Sequence, residues 1–166
     1  MSQPSLNLII IRHGKAESMA SSDLLRPLAP RGIRQSLGLA PNLPTPGEDS
    51  LALISPALRT TQTADCLLKG WKLSEWPNAQ IVPWGHLAPA HLWQSAAETT
   101  ASDVSSLYVI GHNPGLTDWA EALLGEAPGS RFLATAEAAH LQFDLPHWRY
   151  LGAGTGTLVD WISRTP

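Results

Sequence analysis

"LIIIRHGKAE", residues 8–17, joins four apolar residues to an arginine, a histidine and a glycine. Apolarity on consecutive positions, without the alternation of a half-wetted strand, is the pattern of a strand covered on both faces. Residues 6–11 are read as such a strand. In open parallel sheets, ligands sit beyond the carboxyl ends of the strands. Arg12 and His13 stand at that end.

Two more segments repeat the arrangement. "LALIS" (51–55) runs into "PALRTTQTADCLLKG" (56–70), and "LYVIG" (107–111) runs into "HNPGLTDWAEALLG" (112–125). Each pair reads as a buried strand followed by a helix. In the first helix Ala57, Thr61, Ala64 and Leu68 recur at spacings of three and four, with Gly70 as the stop. In the second, Leu116, Trp119, Ala120, Leu123 and Leu124 form one apolar stripe that Gly125 ends. Between the first strand and "LALIS", "PLAPRGIRQSLGLAPNL" (27–43) predicts a helix that starts at Pro30 and stops before Pro41, with Ile33, Leu37 and Ala40 on one face. A short strand over 80–82, a short helix "AHLWQSAAE" (90–98) and two late strands, "HLQFD" (140–144) and "GTLVDWI" (156–162), complete the reading. Strands alternating with helices predict an α/β fold, a three-layer α/β/α sandwich with a mostly parallel central sheet, as one domain over residues 1–166.

Composition narrows the function. The chain has 166 residues, 43% hydrophobic and 15% charged, with a net charge of −3. That balance argues against general affinity for nucleic acid or anionic membrane, so a bound anion needs a local cluster of arginines. The one cysteine, Cys66, leaves no internal disulfide and no multi-cysteine metal site, and it fits a reducing compartment. The N-terminus lacks the basic start of a signal peptide and its apolar run is too short to span a bilayer, so a cytoplasmic location is expected. No HExxH, carboxylate cluster or GxxxxGK[ST] loop is present. "GAGTG" (152–156) precedes a strand instead of linking strand to helix and is read as a turn. Seven scattered tryptophans read as packing residues, and His91, His140 and His147 lie outside any motif.

What remains is three strand ends: "RHG" (12–14), "SPALRTTQTA" (55–64) and "GHNPG" (111–115). Brought to one sheet edge, they would gather Arg12, His13, Arg59 and His112. The last two segments also open helices, which would aim backbone N–H groups at the same place. Guanidinium forks match phosphate oxygens two at a time, so the set describes a site for a multiply charged tetrahedral anion. Gly14 is expected to let the chain turn tightly behind the histidine. Lys15 and Glu17 are candidates for the rim.

In this order the three motifs resemble the histidine phosphatase (phosphoglycerate-mutase-like) superfamily, and the short length with "LRPLAPRGIRQS" (25–36) resembles its SixA-type phosphohistidine phosphatase branch. The resemblance extends over most of the chain. It implies a phosphoglycerate-mutase-like fold and His13 as a nucleophile that becomes phosphorylated. It further implies Arg12, Arg59 and His112 as binders of the phosphoryl oxygens, and no metal or other cofactor. Arg26 matches an arginine of the short branch and is a candidate substrate contact. Many larger members carry a catalytic glutamate where this chain has "WGHLAP" (84–89), and here His86 stands in that place.

Either His86 is the proton donor, or the reaction needs little acid help. Leaving-group chemistry favours the second. An alkoxide must be protonated to depart, whereas a phosphoramidate releases an imidazole whose conjugate acid has a pKa of about 6.5. The expected substrate is therefore phosphohistidine on a protein. A compact chain without a long insertion that could form a lid agrees with that. The alternatives are a small-molecule phosphomonoester or pyrophosphate phosphatase, and a non-catalytic phosphate-binding module.

Overall fold

The computed structural model describes residues 5–164; residues 1–4 and 165–166, the ends of the expected 1–166 domain, lie outside the described residues. Six strands, β1 (Leu6–Arg12), β2 (Ser50–Ile54), β3 (Ala79–Ile81), β4 (Ser106–Gly111), β5 (Ala138–Phe143) and β6 (Thr157–Ile162), form one sheet in the order β3-β2-β4-β1-β5-β6. β1 to β4 are mutually parallel, and β5 runs antiparallel to both of its neighbours. Four helices cover the sheet: α1 (Pro30–Leu39), α2 (Leu58–Trp71), α3 (Ala90–Glu98) and α4 (Gly115–Leu124).

The unbroken apolar run of β1 is explained by a core on each side. Leu8 and Ile10 join Leu53, Leu107 and Val109 beneath Trp93, Leu116, Trp119 and Leu123 of α3 and α4. Ile9 and Ile11 join Ala52, Ile54 and Ile110 beneath Leu39 of α1 and Ala64 and Leu67 of α2. A residue repeat of two on a strand sends neighbours to opposite faces, so the middle of a strand between two helical layers, here residues 8–11, is apolar at every position. The expected three-layer, mostly parallel α/β fold is the one observed.

Helix faces depart from the apolar pattern where polar residues are buried. On α2 the inner residues are Arg59, Thr60, Thr63, Ala64, Cys66 and Leu67, while Thr61 and Leu68, on the face marked by the spacing of three and four, are only half-buried. The threonines tolerate burial because their hydroxyls are bonded: Thr60 Oγ1 donates to the carbonyls of Ser55 and Ala57, and Thr63 Oγ1 to that of Arg59. α2 also runs past Gly70 to Trp71, and Lys72 takes the left-handed cap. Gly70 instead gives α1 room, since a Cβ there would lie 2.7 Å from the Leu37 carbonyl oxygen. On α1, Ile33 is exposed and the inner face is Gly32, Gln35, Ser36 and Leu39. Gly125 ends α4 as expected, with φ of 70°. Trp93, Trp119 and Trp148 are core residues, whereas Trp84 is on the surface.

That α1 face is set by the loop after β1. A Cβ on Gly32 would collide with the main chain of Lys15, and one on Gly14 would lie 2.7 Å from the Gly32 carbonyl oxygen and 2.5 Å from Ser36 Oγ. Gly14 is thus needed for close approach, and its backbone is not in the left-handed region that the turn expectation implied. The two glycines lock the "RHG" segment onto α1.

Propensity and packing make opposite predictions here. Alanine for glycine in a helix gains about 1 kcal/mol, whereas forcing a methyl into a filled backbone contact costs about 1–3 kcal/mol or more. Gly32→Ala is expected to be net destabilising in urea unfolding; an increased midpoint would show that the contact relaxes freely.

Candidate active site

Register brings the strand ends level. Arg12 of β1 pairs with Gly111 of β4, and Ile54 of β2 pairs with Ile110, so His13, His112 and Ser55 follow side by side. The chain leaves β1 toward α1 on one face and leaves β4 toward α4 on the other. Diverging crossovers from adjacent strands open a crevice at that edge. It is a pocket of about 230 Å³ lined by Arg12, His13, Arg26, Arg59 and His112, with Asp23 and Leu87 among the remaining wall residues.

His13 is buried and fixed on several sides. Its main-chain N–H donates to Gly111 O and its carbonyl accepts from Ala136 N. Gly14 N–H donates to Thr63 Oγ1 at 3.0 Å. The ring Nδ1 lies 2.7 Å from Gly14 O. A carbonyl only accepts, so in the neutral ring the proton sits on Nδ1 and Nε2 keeps its lone pair. Burial, then the positive charges of Arg59, Arg12 and Arg26, lower the pKa of His13 to about 4, against the raising effect of the Gly14 carbonyl.

His112 stands 5.2 Å from His13 between ring centroids. Its Nδ1 is 3.3 Å from Arg59 Nη2 and its Nε2 is 2.6 Å from Ser55 Oγ. Arg59 can only donate, so neutral His112 carries its proton on Nε2 and donates it to Ser55. Burial, with His13 and Arg59 nearby, lowers its pKa to about 3. The unliganded protein therefore holds both imidazoles neutral.

Arg12 is half-buried, donates from Nη1 to Leu133 O at 3.1 Å and lies 5.6 Å from the centre of the Phe132 ring. Arg59 is almost wholly buried, and both of its terminal nitrogens are already engaged. Nη1 donates to the main-chain oxygen of Asp23 at 2.7 Å, and Nη2 to its carboxylate Oδ2 at 2.9 Å.

Asp23 is the residue that sequence reasoning missed. It begins a 3-10 turn (Asp23–Leu25) in the segment that returns across the pocket, where Ala16 and Leu28 form a β-bridge. Its Oδ1 accepts from Arg26 Nε at 2.9 Å, and its Oδ2 also lies 2.8 Å from His86 Nε2. His86, Arg59 and Arg26 together hold the carboxyl far below the usual carboxylate range. A signal was present in the chain: Asp23 and Arg26 stand three apart, the spacing of an ion pair in a helical turn.

The other candidates sort as follows. Arg26 lines the pocket and is also ion-paired, and its Nη1 donates to Glu17 O. Lys15 lines the pocket, whereas Glu17 contributes only that main-chain oxygen. His86 is not on the pocket wall; it bonds Asp23, and its ring stands 5.5 Å from that of His112, edge to face. Of the helix starts, α2 reaches the pocket through the Arg59 side chain alone, and the residues of α4 are not on its wall. Thr60 and Thr61 N–H donate to Ala57 O, Leu116 N–H to His112 O, and Thr117 N–H to Asn113 Oδ1, so acceptors in the connecting segments take up these groups. Among the described residues, no group of three or more His, Cys, Asp or Glu side chains comes together as a metal site, and no helix is long and apolar enough to cross a membrane.

Comparison with known proteins bears on the family and the fold. An uncharacterized protein of Picosynechococcus sp. is 32% identical over 123 residues, covering 71% of this chain and 73% of that protein. Among solved structures, a candidate phosphohistidine phosphatase SixA from Nakamurella multipartitia superposes with a TM-score of 0.84 at 21% identity, covering both chains fully. The protein histidine phosphatase SixA complexed with tungstate matches with a TM-score of 0.75 at 26% identity, covering 95% of this chain and 97% of that one. The alpha-ribazole phosphatase of Shigella flexneri shares the fold more distantly, with a TM-score of 0.62 at 17% identity over 95% and 96% of the two chains. Residues 8–102 match the family model of the histidine phosphatase superfamily, branch 1, and the chain belongs to that superfamily.

Proposed function

We propose that the protein is a metal-independent phosphatase that transfers a phosphoryl group to His13 and then to water, acting on phosphohistidine displayed by another protein. The observation that supports this most is the state of the His13 ring. Its Nδ1 proton is held by Gly14 O, which leaves Nε2 unprotonated beside Arg12, Arg59 and His112. An unprotonated nitrogen can attack phosphorus directly and divide one displacement into two. Fixed guanidiniums then stabilise the charge on the equatorial oxygens; removing one preorganised donor of this kind costs about 3–4 kcal/mol in barrier height elsewhere.

Binding must rearrange two protons' worth of bonding. Both hydrogens of Arg59 Nη2 are spent, on Asp23 Oδ2 and His112 Nδ1. A phosphoryl oxygen entering there takes the place of His112 on Arg59. His112 can then accept a proton on Nδ1 and donate it to the same oxygen, a change that a neighbouring dianion favours.

The pocket's size and rim support a protein substrate. About 230 Å³ is below the range of pockets that enclose small molecules, about 300–1,000 Å³. It admits a phosphorylated side chain while the rest of the substrate stays outside. Around it stand exposed apolar side chains: Leu24 and Leu25 between Asp23 and Arg26, Leu87 on the wall, and Phe132 beside Arg12. Exposed apolar side chains around a charged hole suit contact with another protein's surface.

Incubation with radiolabelled phosphoimidazole is expected to label the wild type on one histidine, to leave His13→Ala unlabelled, and to be insensitive to EDTA. Phosphate binding without any labelling would instead favour a binding module. In an NMR titration the His13 ring should change protonation near pH 4, not near 6.5, because its neutral form persists down to the lowered pKa. Inorganic phosphate should move that midpoint upward. Replacing Phe132 and Leu87 with serine should lower kcat/KM for a phosphorylated protein about tenfold while changing phosphoimidazole turnover much less, as loss of one or two apolar contacts implies.

A further inference from the structure

Asp23 is the one carboxylate on the pocket wall, and its bonding leaves it unfinished. Oδ2 accepts from Arg59 and His86, but Oδ1 accepts only from Arg26. A carboxylate oxygen takes two hydrogen bonds, so Oδ1 keeps one open acceptor position. The side chain is 44% exposed, whereas His13 is 7% exposed. The nucleophile is therefore at the floor and the carboxylate at the mouth. Because attacking and leaving groups lie roughly in line at phosphorus, a group displaced by His13 departs toward the mouth.

An N-phosphorylated imidazole protonated on its second ring nitrogen has no need of a proton donor. When the P–N bond breaks, its electron pair returns to the departing nitrogen, the other nitrogen keeps its hydrogen, and neutral imidazole leaves. What such a substrate needs is an acceptor for that N–H, which also favours the protonated ring. We propose that Asp23 is the specificity residue of this pocket, its Oδ1 accepting the ring N–H of the leaving imidazole while His86, bonded to Oδ2, positions it. The inference rests on the phosphohistidine reading above and explains why a histidine suffices where a proton-donating carboxylic acid would otherwise be needed.

The test compares kcat/KM for phosphoimidazole and for p-nitrophenyl phosphate, an ester that leaves readily but offers no N–H, in wild type, Asp23→Asn and Asp23→Glu. Loss of one charge-assisted hydrogen bond predicts that the phosphoimidazole-to-ester ratio falls about 10- to 100-fold in Asp23→Asn, with part of it retained in Asp23→Glu. If Asp23 only props Arg59, both substrates decline together and the ratio stays constant, which overturns the assignment while the phosphohistidine reading stands. A wild type with no preference for phosphoimidazole removes both.

Discussion

The site depends on strand register. Because Arg12 lies opposite Gly111 and Ile54 opposite Ile110, three chain segments end at the same height and turn into the same crevice. A shift of one residue in β1 would send His13 to the other side of the sheet and exchange the two apolar faces of the strand. The doubly buried core forbids neither face from being apolar, so alternation alone does not fix the register. The ties beyond the strand do: His13 N–H on Gly111 O, Ser55 N–H on Ile110 O, and Gly14 N–H on Thr63 Oγ1.

A second constraint is charge. Arg12, Arg26 and Arg59 share a small pocket with two imidazoles. Confined like charges repel strongly where water is partly excluded. The structure relieves this by keeping His13 and His112 neutral and by supplying the Asp23 carboxylate at the centre of the Arg26, Arg59 and His86 cluster. The fork of Arg59, read from sequence as a ready phosphate grip, is occupied by this internal partner.

Much of the fold was legible because buried parallel strands and the α4 stripe are written in apolar residues. The strand ends carried Arg12, His13, Arg59 and His112 to the expected place for the same reason. The inner faces of α1 and α2 were misread because they bury Gly32, Ser36, Arg59 and Thr63, whose fitness for the interior lies in close contact and hydrogen bonding. Asp23 was missed because it belongs to an irregular segment held by long-range partners, 36 and 63 residues away for Arg59 and His86. No periodicity encodes such a meeting.

The Asp23 carboxylate also gives the cavity a built-in counterion. A free anion from solution meets in Arg59 a guanidinium whose charge is already shared with an internal carboxylate, so the attraction gained there is smaller than a bare guanidinium would give. A cavity arranged this way holds free orthophosphate less tightly than its three guanidiniums alone would.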